Sequence, residues 1–212
     1  MNNKQLIIFD WDGTLMDTVP KIVNTVKLVA DRHQLQRPSD GEIRQIIGLS
    51  LDVAIDTLFK KPAMAFELAE SYKDVYVSED DTPALLFPHV KECLTALTAK
   101  GYTLAVATGK SRKGLNRLMA ETQLSDFFKA TRTACECASK PSPEMILEIC
   151  DELNIASDKA VMIGDTTMDL AMANNANATS VGVSFGAHPV SQLKPLKPIA
   201  IIDQFEQLVD LF

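Results

Sequence analysis

The 212-residue sequence lacks an excess of basic charge: 21 Lys and Arg stand against 28 Asp and Glu, for a net charge of −7. No positive field is available to hold a phosphate backbone, which excludes a non-specific nucleic-acid binder. Long apolar runs are also missing. Stretches such as residues 6–9 and 104–107 fall far short of the roughly 20 residues needed to cross a bilayer, so neither a transmembrane helix nor a membrane partner is expected. The opening Met1-Asn2-Asn3-Lys4-Gln5 runs straight into a strand-like segment and leaves no room for the apolar region of a signal peptide. Cysteine is sparse. Cys93, Cys135, Cys137 and Cys150, in a chain without an export signal, point to reduced thiols and a cytoplasmic location. Cys135 and Cys137 have no second pair at metal-ligand spacing, and His33, His89 and His188 are scattered, so no zinc centre is indicated. Internal repeats and low-complexity tracts are absent as well.

What is present is the composition of an ordinary globular protein, 46% hydrophobic and 23% charged, in a chain long enough for a full core plus a smaller companion. Short apolar segments at 5–10, 102–107, 130–133, 160–163, 180–183 and 199–202 predict strands. Helical periodicity covers 90–100, 112–122, 143–153, 168–175 and 203–211, with Ser142 and Asp203 as expected N-caps. Alternation of this kind implies right-handed crossovers and an open, mainly parallel, doubly wound α/β sheet of Rossmann-like type. Roughly 90 residues separate the first two strands, far more than one crossover needs. An inserted α-helical cap is therefore expected. Ile22, Val23, Val26, Val29 and Ala30 mark one of its apolar faces, and Ile43, Ile46, Ile47, Val53, Ile55 and Leu58 mark others. Turn-like boundaries after Asp17 and at Asp80-Asp81-Thr82-Pro83 divide the chain into an α/β core of residues 1–16 and 84–212 and a cap of residues 17–83.

Chemistry enters at Phe9-Asp10-Trp11-Asp12-Gly13-Thr14-Leu15, where an apolar strand ends on two aspartates two residues apart. The strand period puts both carboxylates on one side and Trp11 on the other, toward the fold. Ligands of open α/β sheets bind beyond the carboxyl ends of the strands, which is where this pair lies. A bare Asp-x-Asp is common at solvated strand ends, but with Gly-Thr following, four fixed positions at about 6% each arise by chance on the order of 10⁻³ in a chain of this length. Three further strand ends carry polar groups in order: Thr108-Gly109-Lys110, then Ser139-Lys140-Pro141, then Gly164-Asp165-Thr166-Thr167-Met168-Asp169. Asp165 and Asp169, spaced i, i+4 at a helix start, would also suit the helix dipole without any metal. Met162, Met168 and Met172 read as filling between helix and sheet.

These four segments, in this order over the whole chain, resemble the four motifs of the haloacid dehalogenase superfamily in its phosphatase branch. The resemblance implies a Mg²⁺-dependent phosphatase that hydrolyses a small phosphate monoester through an aspartyl-phosphate. Asp10 is then the nucleophile and Asp12 the acid/base. Thr108 binds the transferring phosphoryl group, with Gly109 beside it, and Lys140 neutralises its charge. Asp10, Asp165 and the backbone carbonyl of Asp12 hold the metal, and Asp169 supports it directly or through water. A carboxylate can attack an anionic phosphate ester only where cations offset the phosphoryl oxygens, and a hard divalent ion prefers carboxylate oxygens. The opposing influences of Asp10, the metal and Lys140 on Asp12 leave its proton affinity open at the level of sequence.

The helical insert stands where the family carries its first type of cap, so it is expected to select substrate, with Arg44 and Ser50, flanking Ile46-Ile47-Gly48-Leu49, as candidate contacts. The motif set looks most like that of phosphoglycolate phosphatase-type members. Gly109 replaces a polar residue frequent after the second-motif threonine, Leu51 stands where phosphomutase relatives have an arginine, and Asn177 stands near a common glycine. Pyrophosphatase or nucleotidase action on the same scaffold is the alternative; a phosphomutase or a non-catalytic binding module fits less well, since all the acids are kept. The partner is a small phosphorylated molecule, and the chain is expected to be a monomer or homodimer.

Overall fold

The structure, a computed structural model, describes residues 5–212, so the reading of Met1 to Lys4 lies outside the described residues. Six strands form one sheet: β1 (Leu6–Phe9), β2 (Thr103–Thr108), β3 (Phe128–Thr133), β4 (Ala160–Gly164), β5 (Thr179–Val183) and β6 (Ala200–Ile202). Their order is β3-β2-β1-β4-β5-β6 and every pairing is parallel. The winding reverses direction between β1 and β4, which opens a crevice at the carboxyl ends of these central strands.

Period two sorts the strand side chains onto two faces. Ile7, Phe9, Leu104, Val106, Val161, Ile163, Val181 and Val183 join one apolar cluster, while Leu6, Ile8, Ala105, Ala107, Ala130, Ala160 and Met162 join the other. The first face is covered by α5 (Val90–Ala99), α6 (Arg112–Thr122) and α10 (Gln207–Leu211). The second, lined by alanines that let helices approach closely, carries α7 (Glu144–Glu152) and α8 (Thr167–Asn175). A short α9 (Val190–Leu193) precedes β6. Covering both faces explains why β1 reads as an unbroken apolar run, each side chain contributing about 1.5–3 kcal/mol on burial.

Four further helices, α1 (Val19–Arg32), α2 (Asp40–Ile46), α3 (Leu51–Phe59) and α4 (Ala65–Ser78), lie between β1 and α5. Their apolar faces meet in two clusters, one around Ile22, Val26, Ile43, Ile47 and Tyr76, the other around Val29, Ile55, Leu68 and Val75. The two connections that lead to these helices run side by side: Asp17 N–H donates to the Leu85 carbonyl at 2.8 Å and Phe87 N–H to that of Leu15 at 3.0 Å. Ala187, from the loop after β5, packs into the first cluster and ties the helices to the sheet. Among the described residues no helix is long and apolar enough to cross a membrane.

Some local expectations need correction. Val53, read as part of an apolar face, is exposed, because α3 turns Ala54 and Ile55 inward instead. The cap of α7 is Pro143, and Ser142 accepts only a 3.4 Å bond from Glu144 N–H. Helix α10 begins at Gln207, not Asp203: Gln207 Oε1 accepts from the N–H groups of Asp203 and Gln204 at 2.8 and 3.1 Å, which holds those residues in a turn. Met168 is half-buried at the foot of the insert, beside Gly48, while Met162 and Met172 fill the core as expected. Asn177 takes the left-handed conformation at φ 56°, which asparagine tolerates better than most residues, so the end of α8 needs no glycine.

Candidate active site

Asp10 continues β1, its N–H donating to the Ile163 carbonyl at 2.9 Å. Trp11 turns the other way into the core, fully buried, with its Nε1–H 3.0 Å from Met16 Sδ. The chain then folds back on itself through Gly13 at φ +73°, where an added Cβ would stand 2.2 Å from Asp165 Oδ2; only glycine serves here. That close approach matters because Asp165, the first residue after β4, is clamped by this loop. Thr14 Oγ1 donates to its Oδ1 at 3.0 Å and Ala187 N–H to its Oδ2 at 2.7 Å.

Asp169 sits in the first turn of α8 and forms a reciprocal capping box with Thr166, taking the Thr166 N–H at 3.0 Å and its hydroxyl at 2.6 Å on Oδ2. Its other oxygen accepts from Lys140 Nζ at 2.6 Å, and the same ammonium lies 2.9 Å from Asp10 Oδ1. The structure thus brings Asp10, Asp165, Asp169 and Lys140 together, all buried, with one carboxylate oxygen of each acid within 4.8 Å of the others.

Three buried carboxylates against one ammonium leave an excess of two negative charges. Burial pushes Asp10 up to about 7, with Lys140 opposing and Asp169 and Asp12 adding to the rise. Burial, then the charges of Asp169 and Asp10, holds Asp165 well above the usual carboxylate range. Lys140 is held above its ordinary value because Asp10 and Asp169 outweigh the cost of burying it. Both oxygens of Asp10 are buried without a hydrogen bond, Oδ1 meeting Lys140 only as an ion pair. An all-oxygen donor set with two uncompensated charges and an orphaned carboxylate suits a hard divalent cation such as Mg²⁺.

Asp12 stands apart from this cluster. Its Oδ1 accepts from Thr18 Oγ1 at 2.6 Å and pairs with Lys110 Nζ at 2.9 Å. Thr108, fully buried at the end of β2, accepts on its hydroxyl from Lys110 N–H at 3.3 Å. Gly109 fits under the insert: a Cβ there would meet the carbonyl oxygens of Leu49 and Gly48 at 2.5 and 2.7 Å. The same loop touches the sheet side twice more, through Ser50 N–H to Ser139 Oγ at 2.9 Å and through the Arg44 carbonyl 3.2 Å from His188 Nε2. Arg44 and Ser50 therefore meet the core through their backbones. Leu51 packs into the insert's second cluster and brings no cation.

Sequence reading passed over three residues. Lys110 was visible only as a neighbour of Thr108, and Tyr76 as one apolar residue of α4. His188, whose Nδ1 accepts from Thr167 N–H at 3.0 Å, clasps the start of α8 to the insert; the 21 residues between these partners leave no local signal.

Comparison with known proteins gives a consistent picture. The sequence profile of the haloacid dehalogenase-like hydrolases matches residues 7–183. A protein named "Probable phosphatase IndB" from Dickeya dadantii (strain 3937) is 36% identical over 214 residues, spanning 97% of this chain and 92% of the relative. A phosphoglycolate phosphatase from Psychrobacter arcticus is 30% identical over 220 residues, covering 98% and 95%. The crystal structure of a "predicted phosphoglycolate phosphatase" from Haemophilus somnus 129PT superposes with a TM-score of 0.88 at 25% identity, covering 100% of this chain and 99% of the other.

Proposed function

The chain belongs to the haloacid dehalogenase-like hydrolase family and is a phosphatase, and on that premise we propose that it hydrolyses a small phosphate monoester, of the phosphoglycolate type, with Asp10 as nucleophile and Mg²⁺ as cofactor. The observation that carries this reading is the Asp10 carboxylate, buried and without hydrogen bonds at the carboxyl end of the central strand, 2.9 Å from a buried lysine. Asp10 and Asp165, with the backbone carbonyl of Asp12, would hold the ion, which supplies charge neutralisation for the phosphoryl oxygens. Asp169 aims Lys140 and would support the ion directly or through water.

In the first step Asp10 forms a bond to phosphorus as the ester oxygen departs, and Asp12, anchored by Thr18 and Lys110, gives that oxygen its proton. In the second, Asp12 takes a proton from water, whose oxygen bonds to phosphorus as the bond to Asp10 breaks. Lys140 offsets charge on the phosphoryl group, and Thr108 lies beside it at the end of β2. Residues 17–83 act as a cap over the core of residues 1–16 and 84–212, and its loop 48–50 keeps bulk water from the intermediate. The free thiols fit a reducing, cytoplasmic compartment.

The test is phosphate release from phosphoglycolate, sugar phosphates, nucleotides and pyrophosphate, with and without Mg²⁺, for the wild type and Asp10→Asn. Metal-dependent release from a monoester that vanishes in the variant is expected. Retained turnover in Asp10→Asn would remove the nucleophile assignment, and a preference for pyrophosphate or nucleotides would replace the monoester reading.

A further inference from the structure

Near Asp12 one buried hydrogen-bond donor has no acceptor, and a second donor group uses only part of its capacity. The Tyr76 hydroxyl, on a residue only 8% exposed, is without a partner. Lys110, with its side chain 11% exposed, places its ammonium 5.3 Å from the centre of the Tyr76 ring and uses one of three N–H donors, on Asp12 at 2.9 Å. Burial raises the Tyr76 phenol above its ordinary value, with Lys110 the strongest charge opposing that rise, so the hydroxyl stays protonated. A buried donor left unmatched is destabilising. An orphaned hydroxyl on α4 of the insert, beside an ammonium of the core that still has donors to spare, is difficult to account for as packing.

Nearby acids do not fill the need. Asp80 is committed to Thr25, Asn24 and the Thr82 N–H, and its carbonyl takes Lys21 Nζ. Lys21 stands 5.0 Å from the centre of the Tyr76 ring, and a cleft of about 160 Å³ beside it is lined by Lys21, Tyr76, Arg117 and Glu121 among others, with Glu121 paired to Arg117. Asp12 is the group that protonates the leaving oxygen, so whatever the leaving alcohol carries is delivered to these donors.

We propose that the Lys110 ammonium and the Tyr76 hydroxyl form a subsite, shared by core and insert, for a carboxylate on the leaving group, which makes them specificity-determining residues for short phosphorylated hydroxy acids. This rests on the phosphatase reading above and adds to it the part of the substrate that is not transferred. A carboxylate offers four lone-pair sites and one negative charge, enough to satisfy both donors at once. An uncharged terminus would leave the ammonium with Asp12 as its one partner and offer the pair no charge to balance.

The experiment compares 2-phosphoglycolate with 2-hydroxyethyl phosphate, which differ in charge at the far end, on the wild type, Tyr76→Phe and Lys110→Met. The quantity read is the ratio of kcat/KM values for the two esters. The wild type is expected to favour the carboxylate ester, and Tyr76→Phe to reduce that preference about tenfold, mainly through KM for 2-phosphoglycolate. Lys110→Met should reduce it further while also slowing both esters through Asp12. Because Tyr76→Phe deletes an orphaned hydroxyl, its melting temperature should not fall. An equal loss on both esters, a wild type blind to the charge, or a Tyr76→Phe protein with unaltered preference would each overturn the subsite while leaving the phosphatase intact. If neither ester is hydrolysed, nor p-nitrophenyl phosphate with Mg²⁺, the phosphatase reading itself fails. Calorimetric binding of the two esters to the same three proteins then decides the subsite: tighter binding of 2-phosphoglycolate that weakens in the variants supports it, and equal binding refutes it.

Discussion

Replacing Gly109 with alanine should unseat the loop that closes the helical insert onto the strand ends. The new methyl group would stand 2.5 Å from the Leu49 carbonyl oxygen and 2.7 Å from that of Gly48. Both obstacles are backbone, so no change of rotamer relieves them, and the loop must retreat by about 1 Å to reach ordinary van der Waals separation. Residue 109 does not have a positive φ, so the substitution tests crowding and not backbone strain. If the insert stays seated, overpacking of this kind costs about 1–3 kcal/mol, or roughly 2–10 °C in Tm for a chain of this size. If it lifts, the bonds from Ser50 to Ser139 and from His188 to the Arg44 carbonyl, which lie in the same seam, lengthen with it. A misplacement of about 1 Å near reacting groups costs up to roughly 10²-fold in rate. Steady-state phosphate release and a thermal melt, both in Mg²⁺, are therefore expected to show kcat/KM lower by about 10- to 10²-fold, a lower Tm, or both. Asparagine, with a larger side chain against the same backbone, should be worse than alanine. A Gly109→Ala protein with wild-type kcat/KM and Tm would refute the argument, because it would mean that the loop does not rest on Gly109 during turnover.

Asp10→Asn should make the metal-free protein relatively more stable as pH rises. Asp10 titrates near 7 in the fold against an ordinary 3.8, so its contribution to stability is full below about pH 3.8 and is lost progressively up to about pH 7; melts of both proteins in chelator across pH 4–8 should diverge over that window. For the wild type, added Mg²⁺ should raise Tm more at pH 8 than at pH 5, and a pH-independent gap would contradict the assigned burial of charge. Lys140→Met leaves Asp10 and Asp169 without their shared ammonium. It should destabilise the metal-free protein by about 3–5 kcal/mol at pH 8 and less at pH 5, where the acids can protonate, as read by urea titration at the two pH values. Equal losses at both would show that packing, and not charge, is the cause.

Much of this could be read from the chain because the signals are local. An apolar run with period two, ending on Asp10, specifies a strand buried on both faces and the carboxylate at its end, and the observed strands agree with the expected ones to within two residues at their starts and one at their ends. Asp10 and Asp165 directly follow β1 and β4, Asp169 lies in the first turn of the next helix and Lys140 in the loop after β3, and a parallel sheet brings the carboxyl ends of its strands, with the segments that follow them, to one edge. Errors fell where a side chain from elsewhere competes for the backbone. Gln207 Oε1 holds the N–H groups of Asp203 and Gln204 in a turn, so α10 begins only at Gln207, and α3 rotates Ala54 and Ile55 inward in place of Val53.

Alternation, turn chemistry and the four acidic and basic strand ends, all encoded within a few residues, determined the α/β class, the helical insert and the gathering of Asp10, Asp165, Asp169 and Lys140. Tertiary structure alone decided which partners those groups keep. The spacing of Asp165 and Asp169 could not tell their partners apart: one is clamped by Thr14 and Ala187, while the other engages Thr166 and Lys140. Only the docking of α4 against the end of β2 brings Tyr76 to Lys110, 34 residues apart in sequence, and only the descent of loop 48–50 explains why residue 109 has no side chain. Contacts between elements depend on how the elements pack, and packing is a property of the whole chain that no short segment carries.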